Sequence, residues 1–349
     1  MPEEMKPTYL AADLFAGIGG IRLGFEQAFG DSIITNLVCE IDEKAQETYQ
    51  AMFHQKEILG DITTIDLRKV KKFQICLAGF PCQAFSMAGK RGGFKDNHNG
   101  INRGRLFFEV IRICKSKKPM VIFCENVKGL IHHNGGKTIK KMKDEFEKIG
   151  YEVEYTVLNS KDFGVPQNRE RLYIVAFRHD IGKSGFSFPE PQGKKVTIGD
   201  ILEKEIVDTK YYMSSQYLKT LKKHKKRQES RGNGFGYAVR RHKDTGGALV
   251  CGGMGRERNL IVDKKRKTFE PTTNIRSEVN KEHIRRLTPR ECARLQGFPD
   301  DFPLVVADTH LYNQFGNSVT VPVIKAIAVE IKKKLDDHLA NGGEKNYKG

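Results

Sequence analysis

The strongest constraint on the fold lies close to the start of the chain. Leu10 to Phe15 reads as a short buried strand, Ala16 to Gly20 as a tight glycine turn, and Ile21 to Phe29 as an amphipathic helix. A strand that turns through glycines into a helix opens a doubly wound layer, and the following sequence keeps that rhythm. Asn36 to Glu40 is a second strand ending in an acid, and Glu43 to His54 a helix. Gln74 to Ala78, Met120 to Cys124, Val153 to Leu158 and Leu172 to Phe177 read as further strands, with helical patterns at Leu106 to Lys115 and Thr138 to Ile149. The expected class is α/β: a Rossmann-like, mostly parallel sheet with helices on both faces.

Near Pro189 and Pro191 the pattern becomes irregular, Gly-rich and basic, with no clear period, and a domain boundary is expected there. Regular structure returns at Thr288 to Leu295. Thr288 reads as a helix N-cap, with Pro289 at the first helical position and Glu291 completing a capping box. Val321 to Leu339 is a final amphipathic helix. Charge follows the same division. The net charge is +17, and Lys194 to Arg286 carries 24 basic against 11 acidic residues, so one insert supplies +13 of the total. A polyanionic partner is the first implication. The seven cysteines form no C-x-x-C pair, which points to a reducing cytoplasm and to no structural zinc. No long apolar run or basic leader suggests a membrane span or secretion.

Candidate chemistry clusters at the strand ends. Phe15-Ala-Gly-Ile-Gly-Gly20 allows a ligand to approach the backbone at a helix N-terminus. Glu40, at the end of the second strand, can accept from ribose hydroxyls, and Asp61 in Gly60-Asp-Ile62 from an adenine amino group. A nucleoside-bearing cofactor follows, with nicotinamide and S-adenosylmethionine both open. Cys82 in Gly79-Phe-Pro-Cys-Gln83 sits just beyond the Gln74 to Ala78 strand, a position suited to a nucleophile, while the other six cysteines read as small buried hydrophobes. Met87 to Arg105, with five glycines and five basic residues, reads as a closing loop. Glu125 in Glu125-Asn-Val127 ends another strand at the same sheet edge, and Gln167-Asn-Arg-Glu-Arg171 presents Arg169 and Arg171 to a cleft or to ion pairs.

Taken with Arg286-Leu-Thr-Pro-Arg-Glu-Cys-Ala-Arg-Leu-Gln-Gly-Phe-Pro299 and Gln314-Phe-Gly-Asn-Ser-Val319, these ordered blocks resemble those of the DNA cytosine-5 methyltransferases of restriction-modification systems, from Asp13 to Val323. The resemblance implies a catalytic and cofactor domain over residues 1–191, a target-recognition domain over 192–283, a hinge over 284–312, and a segment over 313–349 that completes the catalytic domain. It implies catalysis by Cys82, Glu125, Arg169 and Arg171. S-adenosylmethionine would be held by Phe15, Ala16, Gly17, Gly19, Gly20, Glu40, Ile41, Asp61, Ile62, Pro81, Asn317, Ser318 and Val319. Ile41 departs from the pattern, standing where many relatives carry an aromatic ring. DNA contact would fall to Gln83, Ser86, Lys90 and Arg91 in the closing loop and to Arg231, Asn233, Phe235, Tyr237, Arg240, Arg256 and Arg258 in the insert.

The implied reaction adds the Cys82 thiolate to C6 of a flipped-out cytosine in duplex DNA and methylates C5. A cytoplasmic, nucleoid-associated monomer without metal is expected, with a cognate endonuclease not physically required. Cytosine methylation of tRNA is the nearest rival, and the long basic insert favours duplex DNA. A catalytically inactive relative is disfavoured by the intact Cys82, Glu125 and Arg171. A nicotinamide dehydrogenase would leave the thiol and the insert unexplained.

Overall fold

The computed structural model describes residues 9–81, 97–98, 101–102, 106–193, 195–234, 236–251, 257–270 and 278–344. Two compact units emerge. The first takes in the chain up to Asn159, Glu170–Pro191 and everything from Val321; the second comprises Ser160–Arg169 and Gln192–Thr320. The return to the first unit thus begins at Val321, eight residues beyond the position expected for it.

In the first unit β1 (Tyr9–Leu14), β2 (Ile33–Cys39), β3 (Ile75–Ala78), β4 (Val121–Val127), β5 (Tyr151–Asn159) and β6 (Glu170–Arg178) form one sheet in the order β2-β1-β3-β4-β6-β5. The first four strands pair in parallel, and β6 is antiparallel to both neighbours. The mostly parallel sheet expected from the alternating pattern is therefore present. Because β1 sits between β2 and β3, the chain leaves it in one direction and later returns past it, making its carboxyl end a topological switch point.

The helices of this unit include α1 (Gly20–Phe29), α2 (Glu43–Phe53), α3 (Leu106–Lys117) and α4 (Lys137–Lys148). The apolar residues of α3 and α4, among them Phe107, Ile113, Met142 and Phe146, pack with Ala12, Cys76, Ile122 and Ile174 of the sheet. Gly24 of α1 lies against the last helix of the unit. A Cβ there would come within 2.6 Å of Ile324, so glycine is required for the two helices to approach.

The second unit contains a short sheet of β7 (Val239–Arg240), β8 (Leu260–Val262) and β9 (Ile284–Arg285), together with α5 (Ser215–Glu229), α6 (Pro289–Leu295) and α7 (Asp308–Asn317); α8 (Val321–Ala340) then rejoins the first unit. The capping box at Thr288 forms as expected, with Pro289 in the first turn. Helix α5 was not legible in the basic text of the insert. Only Leu218 and Leu221 of its fifteen residues are buried, too few to print a helical period through a run of cations.

Candidate active site

The glycine turn is built by conflicting local demands. Phe15 adopts a positive φ of 57°, unusual for a bulky residue, and Gly17 and Gly19 follow at 54° and 80°. The Ala16 amide donates to the Cys39 carbonyl (3.0 Å), tying the turn to the end of β2. The glycines do different work. A Cβ on Gly19 would lie 2.2 Å from the Phe53 ring, so its smallness lets α2 pack, whereas a Cβ on Gly17 would meet nothing within 4 Å. Gly17 is the position that leaves room for a ligand; Gly20 starts α1.

Glu40 closes β2 and faces this turn. Its Oε2 accepts from the Gly17 amide (2.7 Å) and its Oε1 from the Asp42 amide (2.8 Å). Burial raises the Glu40 pKa above the usual carboxylate range, opposed by those amide donors. The neighbouring Ile41 is 59% exposed, an unusual state for a large aliphatic side chain and one that offers an apolar face beside the carboxylate. Asp61 caps a 3-10 turn over Ile62–Thr64, its Oδ1 accepting from the Thr63 amide (2.9 Å), with Ile62 buried behind it. Phe15 to Gly20, Glu40 and Ile41 thus come together at the carboxyl ends of β1 and β2, and the Glu40 amide donates to the Leu59 carbonyl (2.8 Å) just before Asp61.

The adjacent edge carries a second group. In β4 the regular pairing runs on to Val127, so Glu125 lies within the strand rather than at its end. Val127 pairs with Arg171 and Glu125 with Tyr173, which makes Glu125 and Arg171 diagonal neighbours across antiparallel strands, within reach of a long side chain. Arg171 Nε lies 3.2 Å from Glu125 Oε1, with both side chains largely buried. Glu170, the acid between the two arginines, pairs with Lys128.

Arg169 lies in the second unit. The residue is 3% exposed, and its guanidinium donates to the carbonyls of Leu249 (2.9 Å), Ser318 (2.6 Å) and Gly316 (3.4 Å), all within the second unit. Its backbone lies one residue before β6 and bonds to Ser160, and the side chain clamps loops of the second unit. Asn317 Oδ1 accepts from Cys251 (2.7 Å), the Ser318 carbonyl is held by Arg169 and Gln296, and Val319 is buried, so all three belong to this second-unit scaffold. Cys251 is exposed, in contrast to the buried Cys39, Cys76, Cys114, Cys124 and Cys292.

One residue with a clear local function carried no separate expectation. Asn126 is 1% exposed; its Nδ2 donates to the Phe80 carbonyl (3.1 Å) and its Oδ1 accepts from the Val127 amide (2.9 Å). It therefore fastens Phe80, two residues beyond β3 and two before Cys82 in the sequence, to the strand that carries Glu125. The available signal was a carboxamide following an apolar run and a glutamate, which must find hydrogen-bond partners when buried.

Among the expected DNA contacts, Arg231 and Asn233 are exposed, and Asn233 Nδ2 donates to Gln228 Oε1 (3.0 Å) at the end of α5. Tyr237 packs on the core of the insert, and Arg240 Nε donates to the Arg258 carbonyl (3.1 Å). Cys82, Gln83, Ser86, Lys90, Arg91, Phe235 and Arg256 lie outside the described residues, as does most of the expected closing loop; within that loop, 97–98 and 101–102 pair as a short antiparallel hairpin.

Comparison with known proteins places this geometry. The profile of the family described as C-5 cytosine-specific DNA methylase matches residues 9–333. The chain is 50% identical over 335 residues to the Type II methyltransferase M.HpaII of Haemophilus parainfluenzae, covering 95% of this chain and 91% of that one. It is 42% identical to M.NlaX of Neisseria lactamica, covering 93% and 96%. The structure of the methyltransferase EhMeth of Entamoeba histolytica superposes with a TM-score of 0.71 at 20% identity, covering 95% and 98%, a likeness of fold. With its Rossmann-like sheet and a profile match running through nearly its whole length, the chain belongs to the C-5 cytosine-specific DNA methylase family.

Proposed function

We propose that this DNA cytosine-5 methyltransferase transfers a methyl group from S-adenosylmethionine to C5 of a cytosine flipped out of a short duplex sequence, through a transient bond between Cys82 and ring C6. The observation that carries this reading is the Asn126 tether. Ala78 and Cys124 are register partners in adjacent parallel strands, so Phe80 and Pro81, which precede Cys82 in the sequence, leave β3 beside the stretch of β4 that carries Glu125. Asn126 holds that edge together through the Phe80 carbonyl.

Cytosine C5 is a weak nucleophile in an aromatic, electron-poor ring. Addition of the Cys82 thiolate to C6 breaks the conjugation and leaves C5 enamine-like. A free thiol of pKa about 8.5 is only slightly ionised at neutral pH, so the reaction requires a setting that favours the thiolate. Glu125 donates a proton at N3 and Arg171 holds O2, which neutralises the charge pushed into the ring. The Arg171 contact keeps the Glu125 carboxyl oriented along the strand edge. Loss of the C5 proton then allows Cys82 to be expelled and regenerated. The buried Arg169, also in the proposed catalytic set, keeps its loops in place through the Leu249, Gly316 and Ser318 carbonyls.

The residues present suit the cofactor. Gly17 leaves open space above the turn, each Glu40 oxygen can accept a further hydrogen bond, and exposed Ile41 supplies an apolar surface for a purine. When bound, S-adenosylmethionine supplies an electrophilic methyl group. Asp61, Ile62, Pro81, Asn317, Ser318 and Val319 complete the proposed binding set. Duplex DNA is the proposed substrate, engaged by the basic insert, and the chain is proposed to act as a monomer with any partner endonuclease acting separately. No helix among the described residues is long and apolar enough to cross a membrane.

The test is chemical. Cys82→Ser is expected to abolish methyl transfer from labelled cofactor to plasmid DNA while cofactor binding by calorimetry stays near wild type. DNA containing 5-fluorocytosine should trap the unaltered enzyme as a covalent adduct visible by intact mass. Turnover by the serine variant, or no adduct, overturns the mechanism.

A further inference from the structure

Helix α5 carries six cations, Lys219, Lys222, Lys223, Lys225, Lys226 and Arg227, and a single acid, Glu229. Its two sides differ. Leu218 and Leu221 enter the core of the insert with Met213, Leu260 and Ile284, and Tyr237 packs on the same cluster. Lys225 lies over the Tyr237 ring at 5.2 Å, and a Cβ on Gly236 would stand 2.8 Å from the Lys225 side chain. This side of α5 backs Gly236 and Tyr237; Asn233 and Tyr237 are among the residues expected to contact DNA, and the stretch around them is taken here as the reading segment.

At about 100° per residue, Lys219, Lys223, Lys226 and Arg227 fall together on the opposite side. All four are exposed. Among the described residues none of them enters an ion pair, while Lys222, at the margin of the stripe, is paired with Glu282. Lys219 and Lys223, and Lys223 and Arg227, stand in the i,i+4 relation in which like charges weaken a helix. A polyanion would relieve that repulsion.

We propose that this stripe is a track for the phosphate backbone of duplex DNA flanking the sequence being read. The inference rests on the DNA methyltransferase reading. A helix is about 10 Å across, so a face turned away from the reading segment cannot share its groove contacts and meets phosphates elsewhere on the duplex. The four cations span about 12 Å of helix, against a duplex that presents one negative charge per about 1.7 Å of its axis. Lysine acts as a flexible point charge, suited to phosphates and unable to read bases.

The experiment uses the full-length chain, with Lys219, Lys223, Lys226 and Arg227 all changed to Gln. A second variant carries the same loss of charge at exposed Lys69, Lys71, Lys72 and Lys325. Binding to a long poly(dA)·poly(dT) duplex, which contains no cytosine, is followed by fluorescence anisotropy over a salt series. The stripe variant should reduce the slope of log affinity against log salt by about 2 to 4, since each phosphate contact contributes about 0.9. The second variant should keep the wild-type slope, and bisulfite sequencing of plasmid treated with the stripe variant should show the same methylated sites as wild type. An unchanged slope in the stripe variant, an equal fall in both variants, or a changed set of sites would each overturn the track. A wild type that methylates nothing yet keeps a steep slope lost in the stripe variant would overturn the enzymatic reading and support the track.

Discussion

At Asn126 one carboxamide joins the ends of two neighbouring strands, donating to the Phe80 carbonyl and accepting from Val127. Replacing it with Ala leaves that buried carbonyl without its donor and frees Phe80 and Pro81, which precede Cys82 in the sequence, to shift. Misplacement of a reacting group by about 1 Å lowers rates by roughly 100-fold. Asn126→Ala should therefore lower kcat about 10- to 100-fold while the cofactor Kd changes little; equal losses in both would indicate general unfolding instead. Asp13 is a second buried polar residue, on β1 beneath the glycine turn, accepting from Tyr49 Oη (3.0 Å). Burial pushes its pKa up to about 7, with Glu40 adding to the rise and Tyr49 and Arg22 opposing it. The folded state therefore holds this proton more tightly than the unfolded chain, whose aspartate titrates near 3.9. The resulting stability is complete below about pH 4 and is lost as pH rises through 7. Asp13→Asn should gain on wild type by a few kcal/mol between pH 4 and 8, read as a diverging urea midpoint, and parallel curves would refute the assignment. Neither Asn126 nor Asp13 could be given its partner from the sequence, because each partner is a strand or a helix away.

At the scale of elements, α6 and α5 show the two extremes of legibility. The start of α6 was readable because its determinants are local: Thr288, Pro289 and Glu291 satisfy their own helix end. What Glu291 also does was not readable. Its carboxylate takes both Nη atoms of Arg285 (2.7 and 2.8 Å), and Arg285 Nε binds Asp263 (2.8 Å), all three side chains being buried. Burial alone would raise the Asp263 pKa, but the Arg285 guanidinium and the Lys265 amide outweigh it and hold the group below the usual aspartate range. Arg285→Ala would leave two carboxylates buried without their cation. It should cost about 3 to 5 kcal/mol of stability in the second unit, measured by chemical denaturation, and a loss below about 1 kcal/mol would show the network to be dispensable. In α5, by contrast, tertiary packing of two leucines stabilises a helix whose sequence reads as charge. Strand β4 was read too short for a related reason. Its last residues, Glu125 and Asn126, look like a loop by composition, and only pairing with β6 keeps them in the sheet.

For the molecule as a whole, the first unit is discontinuous: α8 returns from the far end of the chain to cover α1, and Tyr9 Oη donates to Asp336 (2.7 Å). Val323, Ile324, Ile327, Ile331 and Leu335 are buried in that return. At about 1.5 to 3 kcal/mol for each large aliphatic side chain, their loss rivals the whole net stability of a domain, about 5 to 15 kcal/mol. Truncation after Thr320 should therefore abolish cooperative unfolding by circular dichroism together with cofactor binding, and a truncated chain with a sharp melt would contradict this. By itself the sequence determined the alternating α/β class, the glycine turn, the acid closing β2, the capping box and the concentration of positive charge in one insert. Each of these depends on neighbours within a few residues or on composition. Only the tertiary structure decided that Arg171 meets Glu125 while Arg169 clamps loops, that Asn126 ties down Phe80, and that a cationic run is a helix with one bare face. Those outcomes depend on strand register and on packing between residues tens of positions apart, and local sequence carries no record of either.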